Sequence, residues 1–170
     1  RLTAQEVDAY LSRKSKAASE PVGAVASYLA GIGAYVPENV VENSLFTPHF
    51  TDIDEQYIEK VTGIRERSWV SEETTSDMAY AAAVEALDNS GITADSLDMI
   101  ILATTTPDMP LPSTACMVQQ KLGCHDIPAF DIQAACSGWL YALSIAQAFL
   151  KTGNCKNILV IASETMSKFT

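Results

Sequence analysis

Apolar positions along this chain fall into two patterns: short unbroken runs, and longer stretches recurring every three or four residues. The unbroken runs "DMIILATTT" (Asp98–Thr106), "PAFDI" (Pro128–Ile132) and "NILVIASE" (Asn157–Glu164) read as strands, the first and last of them buried. "VASYLAGIGAYVP" (Val25–Pro37) is expected to form another buried strand, ended by its proline. "IRERSWV" (Ile64–Val70) alternates and predicts a half-exposed strand. Helical spacing is expected over Leu2–Ser15, with Thr3 and Glu6 as a capping box. It is expected again in "DIDEQYIEKVTG" (Asp52–Gly63), closed by its glycine. Ser76 is the expected cap of a helix whose Ala79, Ala82, Ala83, Ala86 and Leu87 share one face, up to Gly91. Ser113 caps "STACMVQQKLG", and a last helix is expected from about Ser137 to Thr152, before Gly153.

Helices alternating with apolar strands imply crossover connections and a largely parallel sheet covered on both faces, an α/β class. The last helix is apolar nearly all round, through Trp139, Leu140, Leu143, Ile145, Ala146, Phe149 and Leu150. Such a helix is expected to lie between two layers. "KAASEPVGA" (Lys16–Ala24) reads as a linker, which divides the chain into an N-terminal extension, 1–23, and a unit over 24–170.

Charge and composition narrow the function classes. A net charge of −10 on 170 residues argues against a nucleic-acid partner, and an acidic partner would need a local basic patch. No apolar run reaches the ~18 residues of a membrane span, and the start carries no secretory signal pattern. The chain opens on Arg1 rather than methionine, which leaves processing or a longer parent open. Gly31 and Gly33 begin a dinucleotide-type pattern, but Val36 stands at its third glycine position, and the motif is discounted.

The four cysteines, Cys116, Cys124, Cys136 and Cys155, follow no zinc spacing, and Cys124–His125 is the single Cys/His cluster, so no metal is expected. Reduced thiols are the default at this size. Cys136 stands out. It lies between a strand and a helix, where α/β sites form, among the small residues Ala134, Ala135, Ser137 and Gly138. Unpaired amides and the positive end of a helix dipole favour a thiolate there. A buried thiol used as a small hydrophobe remains the alternative. Neither His49 nor His125 sits in a context that suits a base for it.

Four strings occur in order: "TGIRERSW" (Thr62–Trp69), "ATTTPDMPLPSTAC" (Ala103–Cys116), "FDIQAACSGWLYAL" (Phe130–Leu143) and "ILVIASE" (Ile158–Glu164). Together they resemble the bacterial β-ketoacyl-acyl-carrier-protein synthase III family of the thiolase superfamily, over Ala24–Thr170. The resemblance implies the N-terminal half of a layered αβαβα fold, with the last helix as a buried central helix. It also implies a condensing enzyme of fatty-acid or polyketide synthesis. That enzyme joins acyl-CoA to malonyl-acyl carrier protein, with CoA thioester as substrate and no separate cofactor. Cys136 then matches the acyl-accepting cysteine, and Tyr57, Arg65, Trp69 and Leu111 match substrate- or CoA-binding positions.

The family's catalytic histidine and asparagine belong to its second half, and neither histidine of this chain matches. The resemblance therefore implies a homodimer or a complementary C-terminal half as partner, in the cytoplasm, with no condensation by the nucleophile half alone. Departures from the family pattern are Tyr57 at a common tryptophan, Val61 at a common CoA-holding arginine, and Leu111 at a common phenylalanine that borders the acyl pocket across the dimer. The rival readings are a non-catalytic thiolase-fold subunit and a cysteine hydrolase. The hydrolase would need a histidine that the sequence does not convincingly supply.

Overall fold

The structure, a computed structural model, describes residues 26–169. The expected Leu2–Ser15 helix, and the boundary drawn between 23 and 24, lie outside the described residues. Two sheets form. Strands β1 (Val40–Glu42) and β2 (Glu66–Ser68) pair antiparallel, with helix α1 (Glu55–Thr62) between them in sequence. Strands β3 (Met99–Ala103), β4 (Ala129–Ile132) and β5 (Ile158–Ala162) form a parallel sheet in the order β4–β3–β5. Helices α3 (Thr114–Leu122) and α4 (Gly138–Lys151) make the β3–β4 and β4–β5 crossovers, and α2 (Thr75–Ser90) precedes β3.

The sheet's two faces are built from alternate residues of the same strands. Ile100 and Leu102 of β3 face α2 and α3, packing with Ala79, Ala83, Ala115, Val118, Leu159 and Ile161. Met99 and Ile101 face α4, packing with Ala142 and Ala146. Ile100, Ile101 and Leu102 are fully buried, each worth about 1.5–3 kcal/mol of apolar transfer. This is the expected parallel α/β arrangement, with helices on both faces.

Capping chemistry sets the helix starts. Asp54, Thr74 and Ser113 each accept an amide of the first turn of α1, α2 and α3. The cap of α2 is therefore Thr74, not the expected Ser76. Thr74 and Asp77 close a reciprocal capping box, and Ser76 is buried with its amide donated to Asp108 at 2.9 Å. The expected strand over Ile64–Val70 shortens to β2, whose partner β1 was not anticipated.

The expected strand over Val25–Pro37 does not form among the described residues. Segment 26–37 runs without ladder partners, leaving Tyr28 and Ile32 exposed, across a groove from β5, an edge strand. It is held by α2 instead. Asn89 donates to the Ile32 carbonyl at 2.8 Å, and Glu85 accepts the Ala34 amide at 2.5 Å. Gly31 and Gly33 permit that approach: a Cβ on Gly33 would meet the Ala82 carbonyl at 2.2 Å, and one on Gly31 the Ala86 carbonyl at 2.4 Å. The paired glycines are thus a backbone-on-helix contact.

Gly33→Ala is expected to cost about 1–3 kcal/mol through this clash, read as a lower urea midpoint at unchanged slope. A second expectation concerns Asp77, whose hydrogen bond from Lys121 and capping-box amide from Thr74 lower its pKa from 3.8 to about 2. The unfolded chain binds this proton first as pH falls, so the contribution is full above the unfolded value and fades on descent towards the folded one. Asp77→Asn should therefore cost stability at pH 7 by less than about 1 kcal/mol, the side chain being half exposed, with the difference vanishing in acid unfolding titrations.

Candidate active site

Strand β4 ends at Ile132, and the chain reaches α4 through a 3-10 turn over Ala135–Ser137. Cys136 is the middle residue of that turn and is exposed. The turn closes with Ser137 donating to the Ala134 carbonyl at 3.1 Å and Gly138 donating to Ala135. Ala135 adopts φ 45, a left-handed conformation that costs an alanine about 1–2 kcal/mol. The turn therefore presents the residue after Ala135 at the carboxyl edge of the sheet, where strand-to-helix loops meet ligands.

Gly138 fixes how close the turn lies to the sheet. A Cβ there would meet the Ala103 Cβ at 2.8 Å, so the first turn of α4 rests directly on the end of β3. No side chain caps α4, unlike α1, α2 and α3. The positive end of the helix dipole, with no side-chain cap to offset it, can favour negative charge developing on a carbonyl oxygen under attack there. The geometry suits a nucleophile accepting an acyl group. The other cysteines are placed differently. Cys124 and Cys155 are buried, and burial pushes both thiols up. Cys116 is half-buried in α3, accepting from Ser113 and donating to the Ala129 carbonyl.

The histidines stand apart from this turn. His125 is exposed before β4, at the opposite end of that strand from Cys136. His49 is exposed in a 3-10 turn between β1 and α1. Two clefts open on the surface, of ≈ 420 Å³ between segment 33–37 and the end of β5, and ≈ 720 Å³ between segment 26–33, α2, α4 and β5; Cys136 lines neither.

One polar cluster at this edge was not anticipated. Glu164, two residues past β5, accepts from the Thr105 amide at 2.7 Å and from the hydroxyls of Thr105 at 3.0 Å and Thr106 at 2.5 Å. Thr104 donates to it more weakly, at 3.4 Å. Below it, Thr75 donates to the Thr106 carbonyl at 2.5 Å, and Ser163 to the Thr75 carbonyl at 2.9 Å. The signal for it was a run of three threonines after one strand and an acid after its neighbour.

The family model for 3-oxoacyl-[acyl-carrier-protein (ACP)] synthase III matches residues 130–170, which take in most of β4, the Cys136 turn, α4, β5 and Glu164. The β-ketoacyl-[acyl-carrier-protein] synthase III of Ehrlichia canis is 52% identical over 143 residues, covering 84% of this chain and 44% of its own length. That of Xanthomonas campestris is 46% identical over the same extent. The crystal structure of the synthase III from Aquifex aeolicus superposes at TM-score 0.77 with 47% identity, covering 82% of this chain and 45% of that one. The chain belongs to the β-ketoacyl-acyl-carrier-protein synthase III family. It corresponds to the N-terminal portion, and spans less than half the length of these relatives. A priming β-ketosynthase of the R1128 polyketide pathway shares the fold at TM-score 0.78 and 33% identity.

Within this synthase III fold, Leu111 lies 83% exposed on the loop after β3, the strand beside β4, so its loop and the Cys136 turn leave the same sheet edge. Tyr57 is exposed on α1. Arg65, just before β2, is exposed and paired with Glu59 at 2.6 Å. Trp69 is half-buried and stacks on Phe46, with ring centroids 5.6 Å apart; Arg67 lies 4.5 Å over the same ring. Tyr57, Arg65 and Trp69 thus belong to the small β1–β2 unit, and Leu111 and Cys136 to the large sheet. The helix expected to lie between two layers is covered by one sheet here, and Trp139, Leu140 and Tyr141 are exposed on its other side.

The strain at Ala135 is open to measurement. Ala135→Gly should leave stability within about 0.5 kcal/mol, because relief of the left-handed alanine offsets glycine's extra unfolded entropy. Ala135→Val should cost at least about 1 kcal/mol in the same urea titration, because a β-branched side chain tolerates that φ worse.

Proposed function

We propose that this chain carries the acyl-accepting nucleophile of a condensing enzyme, and that Cys136 is that nucleophile. The observation that supports this best is the exposed sulfur on a strained turn, at the sheet's carboxyl edge, leading into an uncapped helix. In this reading the Cys136 thiolate attacks the thioester carbonyl of an acyl-CoA. The carbonyl–sulfur bond to CoA breaks, CoA departs as its thiol with the proton lost by Cys136, and an acyl-cysteine remains. Malonyl-acyl carrier protein then loses CO₂, its carbanion attacks the acyl carbon, and 3-oxoacyl-acyl carrier protein leaves as Cys136 regains its thiolate.

The histidine and asparagine that the family uses for that second step have no counterpart here. A complementary C-terminal half would complete the site, and a homodimer is the expected assembly. Residues 24–170 form the working unit in this proposal, residues 1–23 an extension, and the enzyme acts in the cytoplasm. Tyr57, Arg65 and Trp69 serve CoA or substrate binding, and Leu111 borders the acyl pocket across the dimer. A second reading, a non-catalytic subunit docking a partner, is favoured by the open apolar face of α4 at Trp139, Leu140 and Tyr141.

Iodoacetamide should label Cys136 well ahead of Cys124 and Cys155, and prior incubation with acyl-CoA should protect it while adding one acyl mass. Cys136→Ala should abolish that adduct. Acylation that persists in Cys136→Ala, or a Cys136 as unreactive as the buried thiols, would overturn the nucleophile reading in favour of the docking subunit. Ketoacyl formation by the 170-residue chain alone is expected to be undetectable, and turnover there would refute the need for a complementary half.

A further inference from the structure

Three strands end side by side at the edge that carries Cys136. β3 lies between β4 and β5, so the loop after β3 runs between the loop bearing Cys136 and the one bearing Glu164. Three contacts tie these ends together. Thr104 donates its amide to the Ile132 carbonyl at 3.1 Å, Ser163 donates to the Ala103 carbonyl at 3.2 Å, and Gly138 rests on Ala103. The Thr104–Thr106 turn therefore begins one residue beyond the atom against which the Cys136 turn packs.

That turn is held mainly by one side chain. Both Glu164 oxygens face inward: one accepts the Thr105 amide and hydroxyl, the other the Thr106 hydroxyl and, at longer range, Thr104. The Thr106 hydroxyl also accepts the Thr165 amide at 2.9 Å, so the turn is stitched to the chain on both sides of the carboxylate. A carboxylate collecting several donors from one short turn fixes it more tightly than neutral pairs would.

We propose that Glu164 is a positioning residue for the acyl group: by clamping Thr104–Thr106 it sets the wall beside Cys136 that discriminates acyl chains by length. The proposal rests on the acyl-cysteine reading above and adds how the starter is selected. Glu164 touches neither sulfur nor substrate. It acts through the threonine turn, and the quantity it controls is discrimination rather than the sulfur's intrinsic reactivity.

The test compares the wild-type chain, Glu164→Ala, Glu164→Gln and Thr105→Val. Cys136 is reacted with acetyl-, butyryl- and octanoyl-CoA, and separately with iodoacetamide and N-alkylmaleimides of increasing chain length, followed by intact mass. Glu164→Ala should shift the acetyl-to-octanoyl rate ratio by about tenfold, as expected when a wall of an apolar site moves by a methylene or so. The short-to-long maleimide ratio should shift in the same sense, with the iodoacetamide rate within about twofold of wild type. Glu164→Gln, which keeps an acceptor for Thr105, should recover most of the ratio, and the near-isosteric Thr105→Val should reproduce part of the shift if Glu164→Ala does not fold.

Rates that fall together for every reagent, or ratios that stay at the wild-type value, overturn the positioning role while acyl transfer to wild-type Cys136 still stands. A wild-type chain that takes no acyl group from any CoA thioester sinks the nucleophile reading and the acyl-selection proposal with it. The maleimide ratios then report separately whether Glu164 shapes the wall beside Cys136 at all.

Discussion

Strand β3 is the fixed element from which the site is measured. Its five residues are buried on both faces, and both its edges are paired, to β4 and to β5. A strand with two ladders and no solvent-facing side chain cannot slide by one residue without exchanging its two apolar sets between the faces. Its end at Ala103 is therefore a well-defined point, and three functional features are built on it. Gly138 rests on Ala103, Thr104 starts the threonine turn, and Ser163 bonds the Ala103 carbonyl from the β5 side. The positions of Cys136, Leu111 and Glu164 follow from how far each loop runs from that shared edge.

Helix α4 meets this strand with its small residues. It buries Gly138, Ala142 and Ala146 against the sheet, while Trp139, Leu140 and Tyr141 point away. A helix burying its largest side chains would stand further off. Contact through glycine and alanine brings the helix axis, and with it the positively polarised first turn, close to the strand ends. The same choice leaves bulky apolar side chains uncovered, which is unfavourable in water and suits a helix with a second surface to meet.

The elements most easily read in the sequence were the unbroken apolar runs, although β5, expected to be buried, alternates between half-buried and buried residues and ends on the exposed Ala162. "MIILA" has no polar position, and "NILVIASE" only polar ends, so periodicity alone identified β3 and β5. Segment 26–37 misled because Val25, Leu29, Ile32 and Val36 look like strand residues, whereas what decides its place is the absence of a Cβ at Gly31 and Gly33. The α2 cap shows a different loss. Thr74 and Asp77 have capping-box spacing, but Ser76 is also a good cap residue, and Asp108, distant in sequence, is what draws the Ser76 amide. β1 has three residues, too few for any period, whereas β2 is the three-residue core of the alternating stretch Ile64–Val70. At the site, the small residues around Cys136 marked the turn, but the positive φ at Ala135 was hidden, because nothing short of the fold asks an alanine for it.

The excess of acidic residues also acquires a local meaning. Asp54 accepts an amide at the start of α1, Asp77 and Asp108 at α2, and Asp131 two amides at α3, from Thr114 and Ala115 at 2.7 Å each. Asp98 accepts the amides of Lys156 and Asn157 before β5, and Glu164 that of Thr105. Much of the negative charge thus ties loops and helix starts together, as carboxylates do where backbone donors are unpaired. Among the described helices of eight residues or more, the start of α4 alone has no such side chain. A carboxylate there would cap the helix at a gain of about 1 kcal/mol, but would set a negative charge beside Cys136. Leaving that helix start without a side-chain cap sacrifices a little stability, and it keeps a carboxylate away from the one exposed thiol among the described residues.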